Sequence, residues 1–409
     1  MEDPRQPNSS GLHVQIRNSE QPFTKDVSVR LRDLWRCLES KQDLLNLVNI
    51  ALESLYGDMA QTISMKQLAN MAYTGNGEHR YSSFQIPKKK KGEFRSIDAP
   101  VPLLKNIQRG LNCVLQAVYT PHAAAMGFVK SCSVVDNARA HLGQRYVYNI
   151  DLKDFFPSIS SGRVYACLCS KRFSLLPEIA SLICDLCCYT NSEGRKVLPQ
   201  GAPTSPTITN IVCERMDRQL QKLAKAYGLR YSRYADDITF SGNTYVFAPE
   251  GRFCQRLKHI VEEEERFTIN PNKTRLEHRG MRQEATGITV NHKPNVSRNY
   301  VRQLRTLLHN WEMNGYQKAQ AEFLVHYAAT NTKNLQWKGT HHIENIIAGK
   351  LLYMKMVKGE TDSTYRGLKK RFDLLMNSRL EYIDNIKKSN KTTGYETESD
   401  NGAHPQQRV

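Results

Sequence analysis

The hydrophobic pattern in the middle of the chain predicts two strand regions and a long helix. Residues 146–150 form an almost unbroken apolar run, which is typical of a buried strand. Residues 229–242 alternate with a period of two on both sides of a short turn, which predicts a β-hairpin. Between them, residues 205–228 keep apolar side chains at helical spacing, with a Ser-Pro pair at the start and a glycine at the end, as helices prefer.

The same pattern divides the chain into five segments. Residues 1–25 are polar and lack periodicity, so we expect a flexible extension, and residues 26–59 have the spacing of one or two amphipathic helices. Residues 60–292 mix strand and helix patterns, and residues 293–386 are helical in pattern. Residues 387–409 carry almost nothing apolar, which predicts a disordered tail.

Acidic residues stand at the ends of the predicted strands. Asp236 and Asp237 occupy the hairpin tip, and Asp151 follows the buried strand directly. Paired carboxylates repel each other, but they become favourable where divalent cations lie between them, and oxygen ligands suit Mg²⁺. Two such ions about 4 Å apart are the arrangement used for in-line phosphoryl transfer. Taken singly, the same acids also fit a solvated Asp-Asp turn and, for Asp151, a helix N-cap.

The charge balance points to a polyanionic partner. The 409 residues include 58 Lys and Arg against 40 Asp and Glu, a formal net charge of +18. A merely basic protein is the alternative. No apolar run approaches 18 residues, which argues against a membrane partner, and the first residues lack the order of a signal peptide, so we expect a cytoplasmic protein.

The ten cysteines favour reduced thiols over disulfides in such a protein. Cys167 and Cys169, and likewise Cys184 and Cys187, have spacings that occur in zinc sites. Both pairs lie in apolar segments, however, where a free cysteine is an ordinary small core residue. We therefore expect buried thiols at these positions.

Five segments, taken together and in this order, resemble the motifs of reverse transcriptases. NIDLKDFF resembles the first catalytic motif, LPQGAPTSP the template and nucleotide grip, and YADD the catalytic hairpin. IPKKKKGEFRSIDAP resembles the fingers segment that holds the triphosphate, and TINPNKTRLEHRG the motif that supplies a lysine. The resemblance covers about residues 80–360. It implies an α+β right-hand polymerase, with fingers and an antiparallel palm interleaved over residues 60–292 and a helical thumb over residues 293–386.

The resemblance also implies the active-site residues. Asp151 and Asp236 would be the core ligands of two Mg²⁺ ions, and Asp237 the less secure third, since it can turn partly away. An aromatic ring at Phe156 would exclude a 2′-OH and so select deoxynucleotides. Lys273 would protonate pyrophosphate or neutralise its charge. The residues expected to contact the nucleotide are Lys88, Arg95, Phe156, Gln200, Gly201 and Lys273.

Two further segments resemble signatures of bacterial retron reverse transcriptases. Asn137 and His141 match the motif NAxxH, and Ala285-Thr286-Gly287 matches VTG with Ala in place of Val. Their side chains suit contacts with unpaired bases and 2′-hydroxyls, so we expect Asn137, His141, Thr286 and Gly287 to bind RNA. The alternative is structural: Asn137 and His141 share a helix face, and Gly287 permits a tight turn.

The helical segment carries a basic stripe beside an apolar one. Val301, Leu304, Leu308 and Trp311 recur at helical spacing, and Arg298, Arg302 and Arg305, with His309, follow on the adjoining face. Such a helix can bury one side and lay the other along phosphates, so we expect the three arginines to bind RNA. A solvated charged face is the alternative.

The retron resemblance implies a specific activity. Such an enzyme copies part of a cognate structured noncoding RNA into single-stranded DNA (msDNA), primed from an RNA 2′-OH, and serves anti-phage defence beside a separate effector protein. Its partners would be that RNA, the DNA product and dNTPs. Two alternatives stay open: another defence-associated or group II intron-like reverse transcriptase, and an inactive RNA-binding scaffold. Three intact acids argue against the scaffold.

Overall fold

The computed structural model describes residues 25–73, 80–88, 92–330 and 341–392. The predicted extension 1–25, apart from Lys25, lies outside the described residues, as does the predicted tail 387–409 beyond Thr392, whereas residues 387–392 of that tail continue the last helix. The chain forms two compact units. The first is drawn from residues 1–86, 94–122 and 154–215, and the second from residues 87–93, 123–153 and 216–409.

Twelve helices lie within the described residues. In chain order they are α1 (Lys25–Arg36), α2 (Lys41–Tyr56), α3 (Met65–Ala72), α4 (Pro102–Val118), α5 (Val134–Arg139), α6 (Ser161–Leu168), α7 (Pro177–Cys187), α8 (Ser205–Ala226), α9 (Arg252–Lys258), α10 (Arg298–Thr330), α11 (Ile343–Lys358) and α12 (Ser363–Thr392). A π-helical turn, His259–Glu264, continues α9. Helix α10 is interrupted at Gly315, whose φ of 71° is not helical.

The strands are short, between two and seven residues long. They are β1 (Tyr81–Pro87), β2 (Phe94–Pro100), β3 (Tyr146–Asp151), β4 (Tyr189–Thr190), β5 (Lys196–Val197), β6 (Arg230–Tyr234), β7 (Asp237–Gly242), β8 (Arg275–His278), β9 (Glu284–Ala285) and β10 (Ile288–Thr289). Four of them form one sheet in the order β6-β7-β3-β8, and the others pair as β1-β2, β4-β5 and β9-β10.

The first unit is built on helices whose starts are capped. Ser40 and Ser64 each accept a hydrogen bond from the third residue of their helix, α2 and α3, and that residue bonds back to the serine. Helices α2 and α4 cross closely at Gly110, where an added Cβ would lie 3.0 Å from side-chain atoms of Val48 and Leu52. Their apolar faces form the core of this unit.

The second unit is organised by the four-stranded sheet. Strand β3 pairs with β7 so that Asp151 faces Asp237, and β6 and β7 form the hairpin predicted from the period-two pattern. The side chains of Ile150, Ile238 and Phe240 are buried on this sheet. The register places the acids at one end of the sheet because each strand ends or begins at its Asp.

Helices α10 to α12 form a second layer of the same unit. Leu304, Leu308 and Trp311 of α10 are buried in one cluster with Ile347 of α11 and Phe372 of α12. The apolar stripe read from the sequence is thus the packing face of α10. Among the described helices, none has both the length and the apolarity to cross a bilayer.

The cysteines of α7 are core residues. Cys184, Cys187 and Cys188 are buried, and the described cysteines form no disulfide. Burial raises the pKa of Cys187 to about 12, so its thiol stays protonated at neutral pH. Cys167 and Cys169 are only half-buried, so the expectation of buried thiols holds for Cys184 and Cys187 but not for this first pair.

Candidate active site

The turn between β6 and β7 is tight and strained. Tyr234 pairs with Asp237, so the loop consists of Ala235 and Asp236 alone. Ala235 has a φ of 57°, which costs a residue with a Cβ about 1–2 kcal/mol. Positive φ at the first of the two central positions is the pattern of a type II′ turn, a hairpin connection that usually uses glycine there. The surrounding structure must therefore hold this turn in place.

A neighbouring backbone segment supports the turn. Arg233 bonds through its backbone N to the Ala124 carbonyl at 2.8 Å, and its carbonyl accepts from Met126 N at 2.8 Å. Gly127 follows, and a Cβ at this position would overlap the backbone N of Ala235. Gly127 is required here because only a residue without a Cβ lets the two backbones approach this closely.

A buried ion pair also anchors the hairpin, through the side chain of Arg233. The guanidinium of Arg233 donates from Nε and Nη2 to the two oxygens of Asp217 on α8, at 2.8 and 2.7 Å, and both side chains are 0% exposed. Nη1 also donates to the Ala235 carbonyl at 3.2 Å, and the hydroxyl of Tyr231 donates to Asp217 at 2.7 Å. This pair was missed from the sequence. The one signal for it in the sequence is that Arg233 occupies an inward-facing position of a predicted strand.

The three predicted acids meet at one end of the sheet, which we call the acid edge (Asp151, Asp236 and Asp237). Asp151 and Asp237 are cross-strand partners, and the backbone N of Leu152 donates to the carbonyl of Asp236 at 3.1 Å. Desolvation by the surrounding protein first, then the charges of Asp236 and Asp151, raises the pKa of Asp237 to about 6, although its side chain is exposed at the start of β7. Repulsion from the other two acids thus adds to desolvation in disfavouring the charged form of Asp237.

Lys273 and Asn270 lie against Asp151. Lys273 Nζ is 2.7 Å from Asp151 Oδ1, and Asn270 Nδ2 donates to Oδ2 at 3.1 Å. Partial burial works against the charge of the lysine, but the hydrogen bond to Asp151 and the three carboxylates prevail and raise its pKa. The lysine expected at the pyrophosphate thus provides a positive charge at the acid edge.

The donor set fits Mg²⁺. Carboxylate oxygens are the ligands this hard cation prefers, and the raised pKa of Asp237 marks charge that a cation would relieve. As they stand, no three such side chains within the described residues converge closely enough to hold an ion. The ammonium of Lys273 bonds to Asp151 Oδ1, so a cation at this oxygen would compete with it.

The residues expected to bind the nucleotide are mostly in the first unit. Arg95 is exposed on β2, and the Gln200 carbonyl accepts from the backbone N of Asp98 on the same strand at 2.8 Å. Gly201 has a φ of 137°, and a Cβ there would lie 3.0 Å from the Asp98 carbonyl. The Gln-Gly bend is thus bonded to the strand that carries Arg95. The sequence did not indicate that Asp98 is the residue of β2 that contacts this bend.

Of the aromatic pair, Phe155 is buried and Phe156 is only half-buried, with ring centroids 5.7 Å apart. This difference favours Phe156 over Phe155 for contact with a sugar. Lys88 belongs to the second unit and is exposed, and its backbone N bonds to the Glu93 carbonyl at 2.7 Å. Lysines 89–91 lie outside the described residues.

The NAxxH and Thr-Gly segments are brought together in the second unit. Asn137 and His141 are 1% and 0% exposed, and Asn137 Nδ2 donates to Thr286 Oγ1 at 3.3 Å. Thr286 and Gly287 are the two central residues of the β9–β10 turn, both with positive φ, as a type I′ turn requires. The burial of Asn137 and His141 argues against the direct RNA contact expected of them and favours a structural role, although α5 ends at Arg139, so His141 follows the helix and does not share a helix face with Asn137. Gly287 alone of the four is exposed.

The basic stripe of α10 is exposed as expected. Arg298, Arg302 and Arg305 all face solvent, whereas Leu304 and Leu308 between them are buried. Within the described residues, no ion pair involves any of the three arginines, and Arg302 bonds only to Asn299 Oδ1 at 3.3 Å. Their charges are therefore available to a phosphate backbone.

The family comparison defines the class of protein. The model for "Reverse transcriptase (RNA-dependent DNA polymerase)" matches residues 86–327, more than half of the chain. The chain therefore belongs to the reverse transcriptases, and the expected α+β fold of the right-hand polymerase type is confirmed.

Individual relatives narrow the class. The retron Ec86 reverse transcriptase of Escherichia coli is 31% identical over 61% of this chain and 75% of that protein. Two Myxococcus xanthus proteins, the retron Mx162 and Mx65 reverse transcriptases, are 39% and 35% identical over 56% and 68% of this chain. The chain is a retron reverse transcriptase by family. It spans 52% and 62% of the length of the two Myxococcus proteins.

Proposed function

We propose that this protein is an RNA-directed DNA polymerase. The observation that carries the proposal is the acid edge, where strand register makes Asp151 and Asp237 partners and a strained turn adds Asp236. Carboxylates this close together repel each other and destabilise the folded state unless a bound cation compensates their charge. Membership in the reverse transcriptase family supports the same activity.

We propose that Asp151 and Asp236 hold two Mg²⁺ ions, with Asp237 as a third contributor. Reverse transcriptases generally use divalent metal ions. The bound ions would activate a primer hydroxyl and stabilise the charge on the triphosphate and the leaving pyrophosphate. The role of the protein is to hold the carboxylates in position before the substrate binds, because phosphoryl transfer depends mainly on positioning and charge.

Lys273 supplies positive charge next to these acids. While no cation is bound, its ammonium neutralises Asp151, and its raised pKa keeps it protonated at neutral pH. An ammonium in this place can move from Asp151 to a phosphate oxygen, where it donates a proton or neutralises charge. Its removal should therefore strengthen metal binding and slow turnover.

For the incoming deoxynucleotide we propose the residues expected from the sequence. Arg95 and Lys88 are exposed cations suited to the triphosphate, and Gly201 offers backbone without a Cβ. The half-buried ring of Phe156 would exclude a 2′-OH. Gln200 would contact the nucleotide through the same bend.

The finer proposal is a retron function. The protein would copy part of a cognate noncoding RNA into msDNA, primed from an RNA 2′-OH, in the cytoplasm and in anti-phage defence with a separate effector. Family membership supports it, as do the NAxxH and Thr-Gly segments. Arg298, Arg302 and Arg305, and the exposed Gly287 tip, are the groups we propose for RNA contact.

The polymerase proposal is tested by primer extension on poly(rA)/oligo(dT) with Mg²⁺ and dTTP, with EDTA and Asp236→Asn as controls. We expect extension by the wild type alone and only with the metal. Wild-type protein that binds the duplex but does not extend it would leave the scaffold alternative.

The retron proposal needs a second experiment. Protein expressed from its native locus is purified and its bound nucleic acid is sequenced. We expect one structured RNA joined to single-stranded DNA through a 2′-linkage that a debranching enzyme releases. Unbranched complementary DNA would instead indicate another bacterial reverse transcriptase.

A further inference from the structure

The sheet face that carries Asp151 and Asp237 continues to present polar side chains further along the strands, away from the acid edge. Two residues further from the edge, the cross-strand neighbours are Asn149 on β3, Thr239 on β7 and Ser232 on β6, and Ser241 follows on β7. All four side chains are buried. Thr239 donates to Asn149 at 3.0 Å, and Asn149 donates to the Glu284 carbonyl at 2.9 Å. A buried polar layer of this kind needs full hydrogen bonding.

His141 joins the two strands of the hairpin within this layer. Its Nε2 is 2.7 Å from Ser232 Oγ on β6, and its Nδ1 is 2.7 Å from Ser241 Oγ on β7. Burial first, then the charge of Arg230, lowers the pKa of His141 to about 3, so the ring is neutral. One imidazole thus spans both strands that end at the catalytic turn.

The number of protons that each group can donate fixes the direction of the hydrogen bonds around His141. Ser232 Oγ donates its one proton to Asn137 Oδ1 at 2.7 Å, so it must accept from His141, whose proton is therefore on Nε2. Nδ1 then accepts from Ser241. Asn137 Nδ2 donates to Thr286 Oγ1, which donates to the Val134 carbonyl at 3.4 Å. The chain runs in one direction, Ser241 to His141 to Ser232 to Asn137 to Thr286, and such chains reinforce themselves.

We propose that Asn137, His141 and Thr286 are positioning residues that hold the β6–β7 hairpin, and with it Asp236 and Asp237, in catalytic geometry. This inference rests on the proposed polymerase function. The strained turn at Ala235 persists only if its flanking strands are fixed, and His141 fixes them to each other. The β9–β10 turn contributes through Thr286, whose own positive φ is held by the same hydroxyl bonds.

Direct RNA recognition does not explain the arrangement as well. A side chain that reads bases needs free donors and acceptors at the surface. Both ring nitrogens of His141 and both amide atoms of Asn137 are instead bonded within the buried layer. The two interpretations differ in one outcome: positioning affects every template, whereas recognition affects only the cognate RNA.

The kinetic test uses His141→Ala and Asn137→Ala on poly(rA)/oligo(dT), which has no retron structure. His292→Ala, at an exposed histidine, is the matched control. We expect kcat to fall at least tenfold in both variants, KM for the duplex to stay within twofold, and the control to match the wild type. His141→Gln, which keeps a donor near the Nε2 position, should recover part of kcat. Wild-type kcat in His141→Ala, or a rise in KM alone, would overturn the proposal.

A structural readout separates this inference from the proposed function. Amide hydrogen exchange over residues 230–242, measured without template or metal, should accelerate at least tenfold in His141→Ala and not over residues 343–358. This readout decides the positioning role even if the wild type fails to extend a primer. Unchanged exchange in the hairpin would refute it. Should His141→Ala not fold, Ser241→Ala, which removes the bond to His141, and Ser232→Ala, which removes the bonds to His141 and Asn137, give the same comparison.

Discussion

The acid edge and the basic face of α10 belong to the same unit but differ in how their charged side chains are surrounded by protein. At the acid edge, Asp151 is buried and bonded to Lys273 and Asn270, and the turn that carries Asp236 is held through Arg233, whose backbone bonds to Ala124 and Met126 and whose side chain bonds to Asp217. On α10, Arg298, Arg302 and Arg305 stand in solvent. At the acid edge the charges are placed by strand register and hydrogen bonds, whereas on α10 they lie on exposed side chains.

The difference follows from what each charge has to do. Phosphoryl transfer requires fixed geometry, so misplaced groups lose rate steeply. Holding a nucleic-acid backbone requires only positive charge at suitable spacing, and its contribution is screened by salt. Substitutions at the acid edge should therefore have large, specific effects, and those on α10 should have smaller effects that depend on ionic strength.

The largest effect is expected at the acids. Asp151→Ala and Asp236→Asn should each lower the rate of dTTP incorporation by about 10³-fold or more, because each removes a metal ligand from the transition state. Single-turnover extension measures it, with duplex affinity as the control, which should stay within about twofold. Extension near the wild-type rate by either variant would show that these carboxylates are not the catalytic ones.

The buried ion pair should be the next most sensitive feature. Arg233→Met leaves the Asp217 charge buried without its partner, so we expect a loss of about 3–5 kcal/mol in the free energy of unfolding by urea. The matched control is Arg371→Met, which breaks an equally bidentate pair with Glu312 that is partly exposed, and should cost about 1 kcal/mol or less. Equal losses in the two variants would contradict the contrast between fixed and solvated charge.

On α10 we expect a moderate effect on duplex binding to which all three arginines contribute. Changing Arg298, Arg302 and Arg305 together to Gln should weaken duplex binding and lower the slope of log K against log salt by about 0.7–0.9 for each lost phosphate contact. Binding isotherms between 50 and 300 mM salt give the slope. An unchanged slope would mean that these arginines do not contact the backbone.

The smallest effect concerns stability without metal. Asp237→Asn should raise the melting temperature in EDTA at pH 7.5 by about one or two degrees, because it removes a carboxylate disfavoured by desolvation and by the charges of Asp236 and Asp151, and because solvent screens this exposed side chain the gain stays small. The folded protein protonates Asp237 near pH 6 and the unfolded chain near 3.8, so the advantage should shrink as the pH falls from 6 towards 4. A variant that melts below the wild type in EDTA would contradict this account of the charge.

Local patterns in the sequence were enough for the parts of the site that depend on neighbours along the chain. The hairpin, its two acids and the stripe of α10 follow from periodicity over a few residues, and the structure contains them where expected. The exposed or buried state of each stripe follows from the same period.

The long-range partners could not be found in this way. His141 bonds to Ser232 across 91 positions, and Lys273 bonds to Asp151 across 122. A single sequence has no signal for such pairings, so Asn137 and His141 looked like polar residues suited to RNA. Their burial depends on how α5 packs on the sheet, which periodicity does not specify.

The acid edge as a divalent-metal site is tested most directly by crystals of the protein soaked in Mn²⁺ and measured at the manganese absorption edge. The account predicts anomalous peaks bonded to Asp151 and Asp236, with Lys273 Nζ displaced from Asp151 Oδ1, and no such peaks in Asp236→Asn. Peaks elsewhere, or a Lys273–Asp151 pair left intact at saturating Mn²⁺, would contradict it.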